Sequence, residues 1–349
     1  MADRRIAVVL FNLGGPDSLA AVRPFLFNLF FDRNIIDLPG PLRWLVAQMI
    51  SRRRAPIAQE IYLQMGGKSP ILENTQEQAA ALNRALNDIG EVKTFICMRY
   101  WRPTTDEVVR AVKAYAPDEV ILLPLYPQFS TTTTASSHRV WQEASRRLGL
   151  TVKQKLICCY PTEPGFITAL ARATQAGLEE AARVAPQADP LVIFSAHGLP
   201  KKIVDAGDPY VSQVAASVRA VAAWLDLKAS DWKMAFQSRV GPLEWVGPST
   251  EDAITEAAED DRAIVVVPVA FVSEHSETLV ELDIEYRHVA EVRQVPAYIR
   301  VPTVSAQPDF IVGLSRLVRQ ALNRTDLVQD GMGQHFCADW SRCACKHAG

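Results

Sequence analysis

The 349-residue chain lacks any uninterrupted apolar stretch long enough to cross a bilayer, so no membrane span is expected. Residues 1–5 are short and polar and lead into an eight-residue apolar run, 6–13. A secretory signal needs a longer apolar region and a small-residue cleavage site. Neither is found, and a cytoplasmic location is expected. In that compartment the six cysteines are not expected to form a disulfide framework. Charge of one sign is also lacking. With 37 basic against 39 acidic residues the net charge is -2, which argues against nucleic acid as the main partner. The Gly14-Gly15-Pro16 turn lacks the G-x-G-x-x-G spacing, and Pro16 removes an N–H that would face a phosphate. It therefore predicts a tight strand-to-helix turn, not a dinucleotide site. No internal repeat is evident.

What is present is a large apolar fraction, 48% of residues, arranged in short runs. Runs at 6–13, 93–98, 119–124, 152–158, 191–195, 233–237, 263–269 and 300–304 are rich in Val, Ile and Leu. They are apolar on both faces, as buried parallel strands are. Between them lie helical patterns, for example at 74–87, 105–115, 166–183, 209–225 and 250–260. This alternation predicts an α/β protein. A single β/α barrel fits the count, but the length favours two doubly wound sheets with a boundary near 130–145. Two segments break the pattern. Residues 34–56 are apolar, with Leu42, Trp44, Leu45 and Met49, then basic, with Arg52-Arg53-Arg54. From about residue 325 the apolar period is lost and cysteines appear.

Ligands of open α/β sheets bind beyond the carboxyl ends of strands. There the sequence gathers Asn12 and Leu13, then Arg99-Tyr100-Trp101, then a hydroxyl run from Ser130 to Thr134. Further on come His197, held between small residues and Pro200, and Phe271 to Glu277. His197 suits proton acceptance near neutral pH or metal ligation; the competing reading is a hydrogen bond that fixes the loop. Glu277, Glu281 and Glu285 are spaced by four, which predicts one face of a helix. Like charges so spaced repel by roughly 0.2–0.5 kcal/mol per pair. They read either as an exposed face or, beside His275 and Asp283, as a carboxylate line guiding a cation in or protons out. The hydroxyl run is suited to holding a carboxylate or to capping the next helix.

Cys337, Cys343 and Cys345 lie within nine residues of the tail, and Cys158 and Cys159 end the fourth apolar run. Three tail thiolates and one from elsewhere make a four-sulfur site for zinc or an iron–sulfur cluster. Alternation along a strand predicts that only one of Cys158 and Cys159 faces it. Cys97 reads as packing.

Taken together, these residues resemble the ferrochelatase family over about residues 6–323. The telling stretches are 12–16, the Gly66-Gly67-Lys68-Ser69-Pro70 turn, Arg99-Tyr100, 125–137 and 194–200. They continue with Gly207-Asp208-Pro209-Tyr210, 236–248 (FQSRVGPLEWVGP) and 267–286 (VPVAFVSEHSETLVELDIEY). The resemblance implies two Rossmann-like domains with parallel sheets and a porphyrin cleft between them, the type II chelatase fold. The domains expected are 1–140 with 306–325, then 141–305, then a cysteine-rich tail at 326–349. The implied activity is insertion of Fe2+ into protoporphyrin IX, giving protohaem with loss of two protons.

By the same resemblance His197 is the active-site histidine and Glu277 its paired carboxylate, with Glu281 and Glu285 continuing the acidic line. One division of labour is that His197 abstracts protons while Glu277 and His275 present iron. Leu13, Tyr62, Ser69, Arg99, Tyr100, Trp245 and Phe271 match positions that line the pocket, Arg99 and Ser69 toward propionates. Some relatives carry methionine at the position of Leu13. The segment 34–56 matches the lip of the cleft, suited to peripheral docking on the inner face of an anionic cytoplasmic membrane. Some members bind a [2Fe–2S] cluster through C-terminal cysteines. Cys337, Cys343 and Cys345 look like those ligands, with Cys158 as fourth and Cys159 or zinc as alternatives. A homodimer stays open. The rival readings are a coproporphyrin or other tetrapyrrole chelatase and, from another class, a haem carrier or sensor. The acidic line argues against the carrier.

Overall fold

The computed structural model describes residues 4–239, 243–325, 328–331 and 342–343. Two all-parallel sheets organise the chain. The first contains β1 (Arg5–Asn12), β2 (Glu91–Met98), β3 (Glu119–Pro124), β4 (Lys153–Cys159) and β9 (Val328–Asp330), in the order β2-β1-β3-β4-β9. The second contains β5 (Pro190–His197), β6 (Trp232–Gln237), β7 (Ala263–Pro268) and β8 (Tyr298–Arg300), in the order β6-β5-β7-β8. Parallel neighbours need crossovers, and helices supply them. They are α1 (Val22–Phe30), α2 (Gly40–Leu63), α3 (Ile71–Ala85), α4 (Thr105–Tyr115), α5 (Thr134–Leu148), α6 (Pro164–Val184) and α7 (Lys201–Asp205). α8 (Tyr210–Trp224), α9 (Thr250–Glu259), α10 (Tyr286–Val292) and α11 (Pro308–Asn323) complete the set.

Burial on both faces explains the strand sequences. Along β1, Ile6, Val8 and Leu10 face one core cluster, and Ala7, Val9 and Phe11 face another. The first cluster is shared between sheets: it joins β1 and β3 to β5 and β7 through α6, α8 and α11. The two halves are therefore packed on common apolar ground. α11 follows the second sheet in sequence yet packs on α3 and α6.

Three expectations need correcting. β4 lies past the break expected at residue 140 but pairs with β3, so the first sheet runs on to Cys159. The last strand expected, at 300–304, is a three-residue edge strand two positions earlier, and Val301 and Val304 fill the core from a loop. The tail adds β9 beside β4, a strand too short to leave an apolar run.

Most of the segment expected to form the lip folds as α2, which begins at Gly40 with Pro41 in its first turn. Its apolar residues are spread around the helix, so many stay in solvent: Trp44 is 47%, Leu45 58% and Met49 64% exposed. Among the described residues no helix is long and apolar enough to cross a membrane.

Candidate active site

β5 delivers His197 at its carboxyl end, in register with Gln237 on β6. The loop after β7 runs back over this end and opens into a π-helix, Glu277–Glu285. The spacing by four predicted a regular helix; the i→i+5 bonding is wider, and such turns are rare and cluster at functional sites. Glu277 opens it, and its Oε2 lies 2.8 Å from His197 Nδ1. That contact fixes the imidazole proton on Nδ1 when the ring is neutral, leaving Nε2 as acceptor. The histidine side chain is 40% exposed and that of Glu277 25%.

The pair is electrostatically coupled. Burial pulls the His197 pKa down, but the Glu277 carboxylate, with help from Glu281, outweighs it, and the net shift is upward. Burial pushes Glu277 up, and the neighbouring His197 and His275 hold it well below the usual carboxylate range. His275 Nδ1 lies 3.1 Å from the Ser273 carbonyl, to which it donates. Its Nε2 is then an acceptor, 3.9 Å from Glu277 Oε2. Phe271 packs on the His275 ring at 4.8 Å between centroids.

The acidic line separates into three roles. Glu281 accepts from Gln237 Nε2 at 3.0 Å, the Ser238 N–H at 2.7 Å, the Ser238 hydroxyl and the Tyr286 hydroxyl at 3.1 Å. Its oxygens are occupied, so it braces the π-helix against β6. Burial and the Glu277 charge raise its pKa. Glu285 is exposed at the far end. Among the described residues no three His, Cys, Asp or Glu side chains form a closed metal cage.

The opposite wall comes from the first half. Leu13, Tyr62 and Tyr100 meet in one cluster with Val22, Phe25 and Ala55. Tyr62 is buried, and burial, with the nearby Glu277 charge, pushes its pKa up to about 12. The end of α2 thus lies within the field of the first carboxylate of the π-helix. Ser69 is buried against Gly15, where an added Cβ would lie 2.5 Å from the serine. Its hydroxyl accepts the Ile71 N–H at 3.4 Å. Trp245 packs beside Gly198, on the loop that follows His197.

Arg99 is not a free cation. It donates to Asp32 at 2.7 Å and to the Ser136 hydroxyl at 2.8 Å. Asp32 was not expected from sequence, nor was Gln237, which bridges Ser195, the Glu277 carbonyl and Glu281. Both are polar residues inside loops or strand ends, and no periodicity marks them. The hydroxyl run does hold a carboxylate, that of the chain's own Asp208.

Cys343 is buried in one apolar cluster with Cys158 and Cys159. The alternation expected at 158–159 fails there, because the register of β4 against β9 shifts between Ile157 and Cys159. Both thiols then face the same cluster, 3.7 Å apart. Cys97 also packs in it. Cys337 and Cys345 lie outside the described residues.

The sequence profile of the family Ferrochelatase matches residues 5–322. A ferrochelatase of Caulobacter vibrioides is 48% identical over 347 residues, 98% of each chain. One of Phenylobacterium zucineum is 49% identical over 350 residues, 99% of each. A Wolbachia ferrochelatase is 51% identical over 313 residues, 89% of this chain and 98% of its own. Among solved structures, SirB from Bacillus subtilis with Fe3+ superposes with a TM-score of 0.53 at 12% identity, over 92% of this chain and 96% of its own. At that identity the likeness concerns the fold alone.

Proposed function

The chain belongs to the ferrochelatase family and inserts Fe2+ into protoporphyrin IX to give protohaem, and we propose that His197, set by Glu277, accepts the protons the ring gives up. The observation that carries this reading is the 2.8 Å contact between His197 Nδ1 and Glu277 Oε2.

Metallation exchanges two pyrrole protons for one divalent cation. A base must therefore face the ring nitrogens, and a route must take protons away. With Nδ1 tied to Glu277, His197 presents Nε2 to the macrocycle. Protonation makes it imidazolium, and the adjacent carboxylate stabilises that charge. Glu281 and exposed Glu285 continue the acidic line from Glu277 toward solvent, with Glu281 holding the π-helix in place. His275, its Nδ1–H fixed on a carbonyl, has the tautomer of a metal-presenting histidine. Together with Glu277 it offers Fe2+ fewer ligands than a resident site, which favours handing the ion on. Leu13, Tyr62, Tyr100, Trp245 and Phe271 supply apolar surface for a flat ring. Arg99, committed to Asp32, serves as a fixed positive wall toward the propionates, with Ser69 beside the Gly15 turn.

The test is anaerobic metallation by His197→Ala, with porphyrin binding followed separately by fluorescence. Turnover is expected to fall by about 10²–10⁴-fold while porphyrin still binds. Near-normal turnover would remove His197 from the role.

We also propose that the exposed apolar residues at the start of α2, Leu42, Trp44, Leu45 and Met49, with Arg52, Arg53 and Arg54 following, dock the protein on the inner face of the cytoplasmic membrane. Buried Cys158, Cys159 and Cys343 fit a thiolate-held group, and we assign Cys158, Cys337, Cys343 and Cys345 to a [2Fe–2S] cluster. When bound, such a cluster supplies one-electron chemistry and a link from tail to β4. Cys158→Ser is expected to abolish the sulfur-to-iron absorption bands and Cys159→Ser to keep them. The reverse pattern would move the ligand by one residue.

A further inference from the structure

The helix α3 belongs to the first half of the molecule, yet its polar side chains bond the second. Asn74 and Gln78 are spaced by four and share one face of the helix. Gln78 is fully buried and uses both N–H groups and the oxygen of its amide. Its Nε2 donates to the Val272 carbonyl at 2.7 Å and to the Ser305 carbonyl at 3.0 Å. Its Oε1 accepts the Ser273 hydroxyl at 3.1 Å. Asn74 Oδ1 accepts the Glu274 N–H at 2.9 Å. The stretch 272–274, which lies between β7 and the π-helix, is thus bonded residue by residue to a helix 194 to 200 positions earlier.

Ser273 carries the link onward. Its hydroxyl is held by Gln78, and its carbonyl accepts the His275 Nδ1–H at 3.1 Å. The carbonyl that sets the His275 tautomer is therefore itself set by the other half of the molecule. The far side of the loop is tied as well. The Glu274 carboxylate accepts from Arg300 at 2.9 Å, the Thr303 N–H at 3.0 Å and the Thr278 hydroxyl at 2.5 Å. Packing alone does not call for an amide at position 78, whereas a fully satisfied buried network fixes one arrangement of the groups it joins.

We propose that Gln78 and Asn74 are positioning residues for iron delivery, which hold from the first half the loop that sets His275 in the second. Gln78, fully enclosed, acts only through Ser273 and the histidine beyond it. The two halves cannot shift at this contact without moving the side chain that presents Fe2+. The inference rests on the reading of His275 as an iron-presenting residue.

The experiment is anaerobic metallation by full-length Gln78→Leu, Asn74→Ala and Asn74→Asp, with KM for Fe2+ and KM for protoporphyrin IX measured separately and urea unfolding recorded for each. His275→Ala and the double variant of Gln78→Leu with His275→Ala complete a cycle. Gln78→Leu is expected to raise KM for Fe2+ by about 10–100-fold, as loss of an outer partner of a metal-binding histidine does, with KM for the porphyrin retained. Asn74→Ala should show the same split more weakly. Asn74→Asp, which keeps the acceptor for the Glu274 N–H, should restore the wild-type value. Gln78→Leu should add nothing once His275 is gone. Lower stability with both KM values retained would overturn the proposal, as would additive effects in the cycle, and Asn74→Ala decides the first point if Gln78→Leu does not fold. A raised KM for Fe2+ in His275→Ala, with Gln78→Leu and Asn74→Ala unchanged, removes the proposal alone. An unchanged KM for Fe2+ in His275→Ala removes instead the iron-presenting reading on which it stands.

Discussion

Asp32 and Glu277 are both carboxylates set in the interior near the ends of parallel strands, one in each half of the molecule. Asp32 accepts from Arg99, Arg139, the Tyr100 and Ser136 hydroxyls and the Asn34 N–H. Glu277 faces two imidazoles. Burial raises the pKa of each, and in each the neighbours win and lower it. The neighbours differ in kind. Guanidinium groups do not give up protons at physiological pH, so the surroundings of Asp32 are fixed in charge. An imidazole does, so the charge of His197 beside Glu277 can change within the working range. One carboxylate sits among fixed charges; the other sits beside a histidine whose pKa it raises.

Glu277→Gln tests that contrast most severely. The amide no longer sets the Nδ1 tautomer, and turnover is expected to fall by about 10²-fold or more. The sign of the pH effect follows. Without the carboxylate the main upward influences on His197 are gone, its pKa drops, and the acid limb of the rate profile moves to lower pH. An acid limb that stays put would mean that Glu277 does not control the histidine.

On the other side, Asp32→Ala leaves Arg99 buried without its counter-ion, and urea unfolding should report a loss of about 3–5 kcal/mol. The folded-state pKa of Asp32 lies below its unfolded value, so its contribution is present above about pH 4 and fades as pH falls through the folded pKa. Wild type and Asp32→Asn should accordingly differ by a constant amount near neutrality and converge in acid. A gap that widened below pH 4 would contradict the fixed-wall view. Smallest is Ser136→Ala, which removes one of five donors and should cost about 1 kcal/mol in the same assay with turnover retained.

The same contrast explains what the sequence disclosed. Strands such as β3, EVILLP, and β7, AIVVVP, are buried on both faces and announce themselves by composition. His197 and the loop from Phe271 to Glu277 follow such strands, where ligand chemistry is looked for first. Asp32 sits in a turn after α1, and its partners stand 67 and 104 residues away. Only the folded chain reveals that meeting. Asp208 lies within the stretch Gly207-Asp208-Pro209-Tyr210, but that stretch does not reveal which distant donors the carboxylate serves. A spacing of four is common to α- and π-helices, so the wider coil at Glu277–Glu285 was hidden. Edge elements were illegible for another reason. β8 and β9 have three residues each, too few for a period, and are defined by the strands they lie against.

β9 also bears on how the molecule behaves in company. A parallel sheet that ended at β4 would present a row of unpaired main-chain donors and acceptors, a surface onto which another chain can add a strand. Residues Val328–Asp330 occupy that row. The tail therefore covers part of a self-adhesive flank with a very short strand, and a chain cut after Asn323 leaves the longer flank of β4 open to aggregation.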